Sequence, residues 1–183
     1  MLIVVIVVAL VCIVIFIPFS SKEVDIAVAV ETASLVRFSL DRNDTFDYAL
    51  VLNLTWSNNG SLVVRYNELR AKAFYSGEIF GMAAIPGFSQ EARNTSTVSV
   101  EFKGQTQMAD EAAETYSREK VDGYYDFDVE VDVRMWAEKN NRNEGVVEAE
   151  AISAVVDCWI NVALKSNSSS PRGFERTQCR VKF

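Results

Sequence analysis

The sequence predicts a mainly β protein, in which an N-terminal transmembrane helix is followed by a β-sandwich of about seven strands with one short helix. Three observations carry this. Hydrophobic residues fill 18 of the first 19 positions. From residue 24 onward they recur with a period of two, the pattern of half-buried strands. A single Ala- and Glu-rich stretch interrupts that alternation. The two parts face different solvents: every Lys, Arg, Asp and Glu follows Ser21, and the chain beyond residue 19 is about 44% apolar, ordinary for a soluble domain.

Leu2 to Ile17 is an unbroken apolar run which, extended through Ser20, makes a helix of about 30 Å, enough for the hydrocarbon core. Residues 1–20 therefore read as a membrane anchor, with residues 2–19 in contact with lipid. The competing reading is a cleaved signal peptide. It fits poorly, because a cut after Ser20 or Ser21 puts Pro18 or Phe19 three residues upstream, where small residues are needed. Met1 opens directly into the run, so no basic flank sets the orientation.

Residues 24–183 form the second unit. Val24, Ile26, Val28 and Val30 share one face of a first strand, and Leu35–Leu40 forms a short second one. Tyr48, Leu50, Leu52, Leu54 and Trp56 share a face of the next, with Asn53 and Thr55 opposite. Ser57-Asn-Asn-Gly-Ser61 is a turn by composition, after which Leu62, Val64 and Tyr66 resume the alternation. Leu69–Tyr75 and Glu78–Ala84 read as a hairpin around Ser76-Gly77, ended by Ile85-Pro86-Gly87. Thr95–Phe102 is another strand. Met108–Lys120 is the helix, acidic early, basic late and stopped before Gly123, an order that suits the helix dipole and a glycine stop. Tyr125 to Met135 alternates most cleanly, with Asp126, Asp128, Glu130, Asp132 and Arg134 on its polar face. Val147–Leu164 and Glu175–Phe183 complete a set of short strands typical of a β-sandwich.

Charge and composition exclude several functions. With a net charge of −7 there is no basic stripe to displace counterions from nucleic-acid phosphates. The absence of histidine removes Ser-His-Asp triads, Cys-His dyads and nearly every zinc enzyme. No phosphate-binding glycine loop and no nucleophile elbow occurs. Asp126-x-Asp128-x-Glu130-x-Asp132 superficially has calcium-loop spacing, but Val131 stands at the glycine position and Ala137 at the twelfth. Carboxylates two apart on a strand lie about 7 Å from one another, so the segment reads as a solvated sheet face. Nothing in the spacing of the acids selects a glycosidase pair. Trp56, Trp136 and Trp159 read as core or half-buried sheet aromatics, the alternative being a sugar-binding face. No metal and no cofactor is expected.

Placement comes from the acceptor sequences for N-glycosylation at Asn43, Asn53, Asn59, Asn94 and Asn167. Among 11 asparagines chance gives about one or two, so the excess favours a lumenal or extracellular domain. Cys12 sits in the apolar run as a small apolar residue. Cys158 and Cys179 fall on the last two strands; a disulfide across a hairpin and two unpaired buried thiols are both open.

The residue order also resembles a known family. Glu31-Thr-Ala-Ser-Leu-Val-Arg-Phe-Ser-Leu40, Asn53-Leu-Thr-Trp-Ser-Asn-Asn-Gly60, Tyr66, Ala73-Phe-Tyr-Ser-Gly77, Pro86-Gly-Phe-Ser-Gln90 and Asn94-Thr-Ser96 are similar to the plant late-embryogenesis-abundant group 2 proteins. The similarity is to their membrane-anchored harpin-induced-like and race-specific-disease-resistance-like branch, and it runs from Asp25 through Phe183. The family's Asn-Pro-Asn turn stands here as Asn58-Asn59-Gly60, and the family's basic cytosolic tail has no counterpart before the apolar run. The resemblance implies an immunoglobulin- or fibronectin-III-like sandwich, a single-pass plasma-membrane anchor and an extracellular C-terminal domain. It further implies roles in pathogen response, stress and membrane-to-cell-wall contact, without catalysis. The expected function is that of a non-enzymatic, membrane-anchored glycoprotein of plant defence and stress signalling, with a protein or cell-wall partner. The alternative is a water-stress-protective or lipid-binding sandwich.

Overall fold

The computed structural model describes residues 24–41, 45–141, 145–165 and 173–183. The apolar segment read as an anchor lies outside them, as do Asn43 and Asn167. The strands are β1 (Ile26–Leu40), β2 (Thr45–Asn58), β3 (Val63–Tyr75), β4 (Glu78–Ile85), β5 (Phe88–Gln90), β6 (Asn94–Gln107), β7 (Tyr124–Asn141), β8 (Gly145–Ala163), β9 (Thr177–Gln178) and β10 (Arg180–Lys182), with helix α1 (Asp110–Asp122) between β6 and β7. They form two sheets, ordered β6-β2-β1-β9 and β10-β8-β7-β3-β4, with β5 also paired to β3. Lettering β1, β2, β3, β6, β7 and β8 as A, B, C, E, F and G gives sheets A-B-E and C-F-G, the pairing of an immunoglobulin-type sandwich without strand D.

Alternation decides which face goes inward. In β2 the residues Phe46, Tyr48, Leu50, Leu52, Leu54 and Trp56 are all buried, and β6 pairs with this strand from end to end. In β7 every second residue from Tyr125 to Ala137 is buried. Two strands are longer than their alternation predicts. The expected short strands at Val24–Val30 and Leu35–Leu40 are one strand, whose pairing with β2 shifts between Val30 and Thr32 and again between Leu35 and Arg37. Each bulge adds a residue and flips the inward parity, so Val28, Val30, Leu35 and Phe38 all reach the core. A bulge between Tyr66 and Glu68 does the same in β3, joining Val64 and Tyr66 to Leu69, Ala71 and Ala73.

Both ends of the sandwich are plugged. At one end Phe38 lies 4.9 Å from Tyr75, 5.0 Å from Tyr125 and 5.2 Å from Phe127, ring centre to ring centre and edge to face. Helix α1 closes this end by laying Tyr116 on Tyr125 and against Phe46. The helix runs two residues later than its composition predicts. It stops at Gly123, which takes the left-handed conformation (φ 74°) and donates its N–H to the Glu119 carbonyl. Glu119 accepts the Tyr75 hydroxyl at 2.9 Å. At the other end two buried polar side chains accompany the packed rings of Trp56, Tyr66 and Phe88. Gln90 donates to the Trp56 carbonyl at 2.8 Å and accepts from the Tyr66 hydroxyl. Asn58 donates to the carbonyls of Leu62 and Glu91 and accepts the Gly60 N–H. The β3–β4 hairpin turns through Ser76 (φ 49°) and Gly77 (φ 80°), the double positive φ of a two-residue turn.

The C-terminal segment straddles the two sheets. Thr177 and Gln178 pair with Val30 and Ala29 of the first sheet. Arg180 to Lys182 pair with β8 of the second. Between them Cys179 donates its N–H to the Val28 carbonyl and is disulfide-bonded to Cys158 of β8. The bond therefore fastens a strand that changes sheets. Replacing both cysteines by serine should lower stability by about 3 kcal/mol, roughly 6–12 °C in Tm, with each single replacement costing at least as much. Equal Tm for the wild-type and double variant would contradict this.

Burial raises the pKa of the phenols of Tyr48, Tyr66, Tyr75 and Tyr125, the last from 10.0 to about 12. The folded state thus holds protons that the unfolded state releases above pH 10, and stability decreases with rising pH there. Denaturant unfolding from pH 9 to 12 should show a plateau and then a fall, shallower in Tyr125→Phe. A flat profile to pH 12 would contradict it.

Candidate functional site

Because the inward faces are committed to the core, surface chemistry falls to the outward faces. The strand carrying Asp126, Asp128, Glu130 and Asp132 is central, lying between β3 and β8, so these acids do not guard a sheet edge. Their neighbours divide them. Lys72 of β3 bonds Glu130 at 2.9 Å and Asp132 at 2.8 Å, and these hydrogen bonds, Asp132 first, raise its pKa. Asp126 accepts the Asn161 amide at 2.6 Å. Asp157 of β8 pairs with Lys182 of β10 at 2.5 Å. Asp128 has no ion pair among the described residues; desolvation, then the charges of Asp126 and Asp157, raise its carboxyl pKa. No group of three or more His, Cys, Asp or Glu side chains among the described residues is placed to hold a metal ion. The carboxylates form a solvated face on which Lys72 of the flanking strand ties Glu130 and Asp132 but not Asp126 or Asp128.

The three tryptophans part company. Trp56 is wholly buried, as expected of a core aromatic. Trp136 and Trp159 are not core residues: they are 40% and 74% exposed, both on the outer face of the second sheet. Alternation explains this, since Trp136 shares parity with Arg134 and Trp159 with Asp157. Trp159 stands opposite Asp128, which in turn stands opposite Phe74 of β3. Phe74 and Trp159 line one groove of about 670 Å³, bordered by the disulfide and by Arg180 and Lys182. A second hollow of about 610 Å³ continues past Glu130 and Asp157 toward Phe183.

The described glycosylation acceptors lie on the other side. Asn53 points from the outer face of β2, its amide donating to the Thr32 hydroxyl at 2.8 Å. Asn59 is exposed in the turn after β2, and Asn94 is exposed at the start of β6. Sequence reasoning missed Gln90 and Phe74 as a buried bond-maker and a groove wall. Both stand in segments that carry the family resemblance, but periodicity alone gives a polar residue on a three-residue strand no reason to be buried.

The chain is 28% identical over 156 residues to NDR1/HIN1-like protein 3 of Arabidopsis thaliana, covering 84% of this chain and 66% of that protein. It is 36% identical over 77 residues to NDR1/HIN1-like protein 2 of the same plant, covering 42% of this chain and 32% of the relative. The chain is a homologue of the NDR1/HIN1-like proteins. Its match to NDR1/HIN1-like protein 10 covers 48% of that relative, so the chain spans less than two thirds of the length of each curated relative named here. No protein-family model matches. Among solved structures, a protein from Archaeoglobus fulgidus overlaps at TM-score 0.36 and 8% identity, over 74% of this chain and 98% of that one. The solution structure of a late embryogenesis abundant protein overlaps at 0.29 and 14%, over 74% and 72%. These overlaps are too loose to add to the sequence relationship.

The state of Asp128 has a testable sign. A carboxyl with a raised folded pKa favours the folded state while protonated, and that contribution is lost as pH rises through the folded pKa. Asp128→Asn should therefore raise Tm at pH 7, the difference closing as the pH falls to about 4. A variant less stable than wild type at pH 7 would contradict this. Millimolar calcium should leave the wild-type Tm unchanged, and a saturable rise would restore the metal reading.

Proposed function

We propose that the chain is a plasma-membrane-anchored, non-enzymatic glycoprotein of plant defence and stress signalling, its sandwich lying outside the cytosol. The NDR1/HIN1-like relationship, extending over 84% of the chain, carries this reading. The cystine at Cys158 and Cys179 supports an oxidising compartment. Exposure of Asn59 and Asn94, and the outward aim of Asn53, support glycosylation there. The apolar run over residues 2–19 is the anchor in this reading. The domain then works by contact, through a protein or cell-wall partner.

The alternative of a lipid-binding interior requires an apolar cleft between the sheets. That space is occupied by Phe38, Phe46, Tyr75, Tyr116, Tyr125 and Phe127, all buried and packed ring on ring, which favours the contact reading. Treatment of the plant-expressed protein with an N-glycosidase should increase its gel mobility, and serine-to-alanine and threonine-to-alanine changes at Thr55, Ser61 and Ser96 should each remove part of that shift. Unchanged mobility would contradict placement outside the cytosol.

A further inference from the structure

The outer face of the second sheet holds a feature that the core does not use. Phe74, Asp128 and Trp159 form a row across β3, β7 and β8, two aromatic side chains with a carboxylate between them in cross-strand register. Trp159 is 74% exposed. Among the described residues its ring has no aromatic or cationic partner, the one cation over a ring being Lys120 at Tyr116. Among the described residues Asp128 has no ion pair, and the Asp126 carboxylate has only the neutral Asn161 amide. The groove's own cations stand on its β10 rim, where Lys182 is bonded to Asp157 and Arg180 lies opposite that residue. The backbone of the row is paired on both sides at β7, and Trp159 follows the disulfide-bonded Cys158.

We propose that this groove is a docking site for a cationic side chain, arginine or lysine, presented by a protein partner. A guanidinium or ammonium group stacks on the face of an exposed indole and is held more strongly where a carboxylate lies beside it. The row supplies both, in a domain of net charge −7. Position favours a protein over the bilayer as the source of the cation. Residue 24 emerges at the Asn58–Gly60 end of the sandwich, where Asp25 accepts the Asn59 N–H. Phe74 lies at the opposite end of β3, roughly 35 Å away along the strand. Of the described glycosylation acceptors, Asn53 and Asn94 stand on β2 and β6 of the first sheet and Asn59 in the turn after β2, so none of these lies on the row. Their glycosylation rests on the placement outside the cytosol proposed above, whereas the row itself does not.

The test uses the whole chain in non-ionic detergent, made in bacteria without glycans and labelled with 5-fluorotryptophan at its three tryptophans. Its probe is the tripeptide amide Gly-Arg-Gly, with Gly-citrulline-Gly as the neutral control. The Trp159 fluorine resonance should move saturably with the arginine peptide while those of Trp56 and Trp136 stay in place, and the citrulline peptide should bind about tenfold more weakly. Asp128→Asn, shown to be folded by its thermal melt, should weaken the response, and Glu101→Gln on the outer face of the first sheet should not. An unmoved Trp159 signal, equal binding of the citrulline peptide, or an equal loss in Glu101→Gln would overturn the proposal. So would movement of Trp159 only with gluco-oligosaccharides or with phosphatidylcholine vesicles. None of these outcomes depends on glycosylation, so failure here is distinguishable from failure of the glycosidase test.

Discussion

One constraint organises the domain: the apolar faces of two sheets must be buried against each other while strand backbones stay paired. Apolar burial is the dominant favourable term in such a fold, and unpaired backbone groups in its interior are costly. Strict alternation does not run through the fifteen residues of β1, whose pairing with β2 shifts register twice. The bulges near Glu31 and Val36 restore the inward aim. They let Phe38 reach the centre of the aromatic end, where Tyr75, Tyr116, Tyr125 and Phe127 close around it. A shifted register would expose that cluster and bury Arg37 in its place.

The same constraint releases the outer faces for other work, and they diverge. On the first sheet Asn53 and Thr32 share a hydrogen bond, and Glu101 and Lys103 pair on the edge strand β6. On the second, Phe74, Asp128 and Trp159 form one row across β3, β7 and β8, and Lys72, Glu130, Asp157 and Arg180 form a charged row that reaches β10. The strap from Thr177 to Lys182 connects the two levels. By changing sheets at Cys179 it fixes β10 beside β8, and so builds one wall of the groove that holds Trp159.

The sequence displayed the strand set because period-two burial is a local signal, clear in Phe46–Trp56 and Tyr125–Met135. The Ser76-Gly77 turn and the Gly123 stop were legible for a similar reason, since each depends on a conformation that few residues take easily. Bulges were not legible: the parity change at Asn67 looks in the sequence like a strand break. Residue type makes Trp136 and Trp159 core or half-buried aromatics, whereas parity with Arg134 and Asp157 puts both on the outer face, where Trp136 is 40% and Trp159 74% exposed. The pairing of Phe74 with Asp128 joins residues 54 positions apart through strand register, which no local pattern contains.

The proposed function of this domain depends on its lying outside the cytosol. The groove, the cystine and the exposed asparagines acquire their proposed roles together only if it faces outward. The most direct measurement is antibody staining of an epitope added after Phe183 in plant protoplasts, intact and permeabilised, with a cytosolic protein as the control. The account predicts equal surface staining with and without permeabilisation, and staining only after permeabilisation would contradict it.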